Sequence, residues 1–117
     1  MTDRTASLDL ELIGRLRGAL ERSGRDEQAV PLVLHGSSGV ADAVIANAVR
    51  AGMTKINVST HLNGFFTRAI RSTLDADEKL VDSRKYLSPA REALAGEAAR
   101  MLRLFALESA GVAGRPA

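Results

Sequence analysis

The sequence predicts an α/β fold built around a parallel βαβ unit, cut as a slice from a larger α/β architecture. Two short candidate strands, the apolar run 30–35 and the segment 54–58, flank a single stretch with helical periodicity, and the connections between them are short. Only a crossover helix joins neighbouring parallel strands that closely, and such crossovers are right-handed. A parallel sheet normally has both faces covered and more than two strands. Two strands leave two open edges and half a core.

The elements follow in chain order. Leu12, Ile13, Leu16 and Leu20 share one face of a helix predicted over 9–22, with Arg15, Glu21 and Arg22 elsewhere around it. Ser7 or Asp9 can cap its start, Ser23-Gly24 ends it, and 25–28 reads as a solvated loop. In Val30-Pro31-Leu32-Val33-Leu34-His35, the early proline and the following Gly36 favour a buried strand over a helix. A helix over 41–51 has Val44, Ile45, Ala48 and Val49 as its apolar stripe and Gly52 as its stop. Thr54-Lys55-Ile56-Asn57-Val58 is the second strand. Ser59 or Thr60 caps the next helix, whose apolar face is Leu62, Phe65, Phe66, Ala69 and Ile70. A polar joint over 75–86 leads to a last helix, with Ser88 as its N-cap and Pro89 at its first position. Leu94, Ala98, Met101, Leu102 and Phe105 are expected to face one way on it, and residues 1–7 and 108–117 to be flexible.

Composition excludes several functional classes. Sixteen Lys and Arg against fourteen Asp and Glu leave a formal charge of +2, too even for a polyanion-binding protein. Four aromatic residues, Phe65, Phe66, Tyr86 and Phe105, are too few for a base-stacking platform, so no nucleic-acid partner is expected. The absence of cysteine removes disulfides, thiolate metal sites and thiol nucleophiles. No apolar run approaches the roughly 20 residues of a membrane span. The acidic, polar start lacks the pattern of a signal peptide. A cytoplasmic protein with no membrane partner is expected.

In parallel α/β folds, ligands bind at the carboxyl ends of the strands. Those ends carry His35-Gly36-Ser37-Ser38-Gly39 and Asn57-Val58-Ser59-Thr60. Glycine allows close backbone approach, and free N–H groups with Ser and Thr hydroxyls form an oxyanion or phosphate cradle. Taken singly, each segment also reads as an ordinary turn and cap, His35 as a structural histidine, and Arg84 as a surface charge. The loop is not a dinucleotide fingerprint, a Walker loop or a nucleophile elbow. No third group supports a Ser38–His35 hydrolase pair.

The segments PLVLHGSSGV (31–40), AGMTKINVST (51–60) and VDSRKYLSPARE (81–92) resemble, in order and spacing, the last third of class II ketose-bisphosphate aldolases. The resemblance covers about residues 8–107. It implies a partial barrel domain over 1–117, the C-terminal slice of a TIM (β/α)8 barrel comprising its last two βα units and flanking helices. It further implies zinc-dependent cleavage of a ketose bisphosphate to dihydroxyacetone phosphate and an aldehyde. On this pattern His35 matches a zinc-binding histidine, and Gly36, Ser37 and Ser38 match the phosphate-holding loop. Asn57 matches the contact to the dihydroxyacetone moiety, and Val58, Ser59 and Thr60 the other half of the cradle. Arg84 matches an arginine that reaches the second phosphate from a neighbouring subunit. Ser59 stands where one branch has Asp, His61 where Asp or Glu is common, and Ser83 where the family has proline. The family's other two zinc histidines and its acid/base aspartate belong to earlier strands, so the Zn²⁺ site is incomplete in this chain and no catalytic residue is assigned to it. The expected partners are a phosphorylated sugar and either further copies of the chain or an N-terminal complementing chain. The alternative function is a non-catalytic phosphosugar-binding or oligomerisation module.

Overall fold

A computed structural model describes residues 6–23 and 30–108. The predicted loop 25–28 and the tail 111–117 lie outside the described residues. The elements are α1 (Leu10–Arg22), β1 (Leu32–Leu34), α2 (Asp42–Ala51), β2 (Met53–Ile56), α3 (Thr60–Ala76) and α4 (Arg84–Phe105). The described residues form two compact units, one of those up to Val58 together with those from Leu104 onward, and the other of 59–103.

In the first unit β1 and β2 pair in parallel, with Leu32 opposite Met53, Val33 opposite Lys55 and Leu34 opposite Ile56. The register slips between Leu32 and Val33. The expected parallel pair across one helix is therefore present, although β2 begins a residue early and ends at Ile56. Asn57 and Val58, read as strand, lie just beyond it. The Asn57 N–H still donates to Leu34 O at 3.0 Å, so the ladder's last bond places Asn57 at the sheet's carboxyl end. β1 is shorter than the apolar run because Pro31 cannot donate to a ladder.

Asp9 caps α1, its Oδ1 accepting from Leu12 N at 2.9 Å, and Ser23 closes the helix. Of the predicted α1 face only Ile13 is buried, while Leu12 and Leu16 are exposed. α1 packs on α2 and α2 on β2. Ile13, Val40, Ile45 and Ala48 are the buried apolar residues of this unit. Ala6, in the stretch read as flexible, is tied down by a bridge to Val40, with Ala6 N–H donating to Gly39 O at 3.1 Å. Gly52 stops α2 at φ +124°, and a Cβ there would run into the Arg17 side chain. Only glycine satisfies both demands.

The second unit corrects two expectations. The last helix begins at Arg84, so Pro89 lies inside it rather than at its first position. Asp82 and Ser83 start the helix in place of Ser88: Asp82 Oδ1 accepts from Arg84 N at 3.1 Å, and Leu87 N–H donates to Ser83 O at 2.9 Å. The inward face of α4 is also rotated from the predicted stripe. Ala90, Glu97 and Met101 are its buried residues, whereas Leu102 is 68% exposed. α3 carries the predicted apolar residues but none of its residues is fully buried. Among the described residues no helix is long and apolar enough to cross a membrane.

Candidate functional site

Three of the residues singled out in the sequence meet at the carboxyl ends of β1 and β2. Asn57 Nδ2–H donates to His35 Nδ1 at 3.0 Å. Ser37 Oγ donates to Asn57 O at 2.8 Å. Ser37 is buried, so its hydroxyl fastens the loop after β1 to the end of β2. Its side chain is thus occupied by a structural bond, whereas Ser38 is exposed.

The loop turns because Gly36 adopts the left-handed conformation, φ +68° and ψ +37°, before a single 3-10 turn over Ser37–Gly39. Such a change of backbone hand aligns successive N–H groups into an anion-binding concavity. A side chain at Gly36 would meet no neighbouring atom, so the demand for glycine comes from the backbone angle alone.

Val58 completes the first unit's share of the predicted site. Ser59, Thr60 and Arg84 belong to the second unit. Ser59 is the N-cap of α3, yet its side chain makes no capping bond, and both Ser59 and Thr60 are exposed. The first turn of α3 therefore presents N–H groups that no intrahelical carbonyl accepts. Arg84 is 88% exposed and forks onto Asp82, with Nε to Oδ1 at 3.0 Å and Nη2 to Oδ2 at 2.8 Å. The Arg84 guanidinium and backbone N–H hold the Asp82 carboxyl below its usual range, and Asp82 in turn raises Arg84.

Sequence reading passed over one cluster in the second unit. His61 Nε2 lies 2.6 Å from Glu97 Oε1, and the Arg100 guanidinium reaches both oxygens of the same carboxylate at 2.6–3.1 Å. The side chains of His61 and Glu97 are 16% and 6% exposed. The hydrogen bond from Arg100 lowers the Glu97 pKa to about 2; burial opposes the shift and His61 adds to it. An ionised carboxylate only accepts, so His61 Nε2 is the protonated donor. The signal in the sequence was a glutamate between Leu94 and Met101, at helical spacing with Ala90 and three residues before an arginine.

The sequence profile of fructose-bisphosphate aldolase class-II matches residues 1–111. The chain belongs to this family. The chain is 38% identical over 81 residues to the fructose-bisphosphate aldolase of Geobacillus stearothermophilus, covering 69% of this chain and 28% of that protein. It is 45% identical over 65 residues to the corresponding aldolase of Staphylococcus aureus strain Mu50, covering 56% and 23%. The crystal structure of the YdjI aldolase from Escherichia coli K12 superposes with a TM-score of 0.64 at 29% identity. That match covers 88% of this chain and 35% of the other. The chain thus spans less than a third of the length of these curated relatives.

Class II aldolases are generally zinc-dependent. Among the described residues, however, no group of three or more His, Cys, Asp or Glu is placed to hold a metal ion. Catalytic zinc usually takes three protein ligands. His35 has only the amide of Asn57 at its ring, so the donor set described here does not form a zinc site.

Proposed function

We propose that residues 1–117 form a partial aldolase barrel domain, the C-terminal slice of a (β/α)8 barrel, and supply the phosphate-binding side of a ketose-bisphosphate aldolase site. The observation that carries this reading is the joining of His35, Ser37 and Asn57 at the ends of two adjacent parallel strands, in a chain of this family. Barrels bind phosphate in the loops after their last two strands. The backbone N–H groups of Gly36, Ser37 and Ser38, with the Ser38 hydroxyl, take one phosphate. Val58, Ser59 and Thr60 contribute at the start of α3. Asn57 faces the dihydroxyacetone moiety, and Arg84 takes the second phosphate from a neighbouring subunit once a phosphate competes with Asp82 for its guanidinium. His35 is one ligand of a Zn²⁺ centre whose other ligands, and whose acid/base aspartate, come from residues outside this sequence. The activity is reversible cleavage of a ketose bisphosphate to dihydroxyacetone phosphate and an aldehyde, in the carbohydrate metabolism of the cytoplasm.

Two measurements test the proposal together. Dihydroxyacetone phosphate titrated into the 117-residue chain is expected to shift the amide resonances of residues 36–38 and 57–60. Ser38→Ala is expected to weaken that binding about tenfold, the loss of one hydrogen bond to a charged group. Mixing the chain with a polypeptide of the first six βα units of a relative is expected to give zinc-dependent aldol cleavage that neither part shows alone. Binding without cleavage in the mixture would leave the non-catalytic phosphosugar-binding module. Neither binding nor cleavage would sink both readings.

A further inference from the structure

The first turn of α3 is held less by its own cap than by a side chain from α4. Ser59 makes no side-chain capping bond, and no residue of α3 is fully buried, so neither capping nor burial fixes where that turn sits. Asn63 N–H donating to Ser59 O at 3.0 Å ties the N-cap carbonyl into the helix, but this bond lies within the turn and does not anchor it. The anchor is one residue after Thr60. His61 donates through Nε2 to Glu97 Oε1 at 2.6 Å, across 36 residues of sequence. Its ring meets Phe65, four residues on, edge to face with centroids 5.2 Å apart. The guanidinium of Arg68 lies 4.6 Å from the centroid of the Phe65 ring.

Glu97 is an unusual residue to find buried on α4. Burying a carboxylate is unfavourable unless hydrogen bonds satisfy both oxygens. Arg100, three residues on, reaches both oxygens, and His61 takes Oε1. Arg100 alone would pair with an exposed glutamate just as well. Burial of Glu97 is accounted for by the partner it meets on α3, and that partner adjoins Ser59 and Thr60.

We infer that Glu97, backed by Arg100, is a positioning residue that acts through His61 to fix the first turn of α3 and so the aim of Ser59 and Thr60 at a phosphate. The inference rests on the proposed phosphate role of Ser59 and Thr60 for its functional half. The structural half, the anchoring of the turn, stands on the hydrogen bonds alone. A short directional bond at a helix start restrains the backbone N–H groups of that turn, and small displacements of such groups cost binding steeply. Ser59 and Thr60 remain exposed throughout, as a ligand contact requires.

The test uses the 117-residue chain, its Glu97→Ala and Glu97→Gln variants, and inorganic phosphate as the probe. Amide hydrogen exchange at Asn63 reads the anchoring, and exchange at Ile45 and Ala48 reports whether the first unit stays folded. In Glu97→Ala, exchange at Asn63 is expected to rise about tenfold, with Ile45 and Ala48 unchanged. The phosphate-induced shifts of the Ser59 and Thr60 amides are expected to need about tenfold more phosphate. Glu97→Gln keeps an acceptor for His61 at the same volume and is expected to restore most of both, which a role of the charge alone would not allow. If Glu97→Ala fails to fold, His61→Phe removes the other partner of the same bond and carries the test with the same expected losses. Wild-type exchange at Asn63 in a folded Glu97→Ala chain overturns the anchor. Faster exchange with unaltered phosphate response overturns the positioning role. If wild-type chain gives no phosphate shifts at Ser59 and Thr60, the positioning role fails with the phosphate reading, while Asn63 exchange still decides the anchor.

Discussion

Glu97 has a consequence for stability that can be read from its surroundings. Its carboxyl is held near a pKa of about 2, against an ordinary 4.5, chiefly by the Arg100 hydrogen bond. A depressed carboxyl stabilises the folded state fully above the unfolded value. That contribution is lost as pH falls through the folded value, because the unfolded chain takes up the proton first. The window is therefore pH 4.5 down to 2. The full shift corresponds to at most about 3 kcal/mol, of which roughly 2 is gone by pH 3. Urea unfolding of wild type and Glu97→Gln at pH 6 and pH 3 checks this. Wild type is expected to lose more stability than the variant across the interval, and equal losses would show that Glu97 does not couple to folding. His35 and Ser37 illustrate the same scale differently. Their residue types were readable in the sequence, but the bond from Ser37 to the Asn57 carbonyl was not, since it spans 20 positions and two loops. Residue identity revealed which groups could bind a phosphate, and geometry then divided the two serines into a fastener and an exposed hydroxyl.

Elements were legible wherever a period or a punctuating residue marked them. The Asp9 cap, the Gly52 stop, the strand–helix–strand order and the parallel pairing all follow from local chemistry and short connections. The misplaced start of α4 shows where local chemistry competes with itself. Ser88-Pro89 is a strong start signal, yet Asp82 opens the helix five residues earlier by accepting from Arg84 N, and the helix runs on through the proline. Pro89 has no N–H to offer the carbonyl of Lys85, and its ring crowds that carbonyl. The buried side of α4 was misjudged for a related reason. The apolar stripe leaves out Glu97, whose burial Arg100 and His61 make tolerable, while Leu102 is exposed. Pro89→Ala restores the missing amide and relieves the crowding, so it is expected to stabilise the second unit by about 1 kcal/mol or more, below the ~3 kcal/mol of an unrelaxed helix interior. Thermal melts followed by circular dichroism check this, and an unchanged or lower midpoint would mean that the helix needs its proline at this place.

The described residues combine a sheet of two strands with exposed apolar side chains. β1 and β2 are the only strands among the described residues, so each has one edge unpaired within them. In the first unit Leu12 and Leu16 of α1 are 41% and 47% exposed, and Val33 of β1 is 37% exposed. Open edges beside exposed aliphatic residues favour association with further chain. In a family whose curated relatives are more than three times the matched length, the cover that the proposed barrel slice calls for is the remainder of the barrel. The 117-residue chain on its own is therefore expected to self-associate as concentration rises, which sedimentation velocity over a concentration series reads directly. Leu16→Lys places a charge on the exposed α1 face without touching the candidate site, and is expected to shift the distribution towards monomer. Adding the first six βα units of a relative should do the same while forming a defined one-to-one complex. A chain that stays monomeric at every concentration would mean that its two units satisfy their own surfaces. The remaining barrel would then be needed for the metal ligands and the acid/base aspartate, and not for covering the fold.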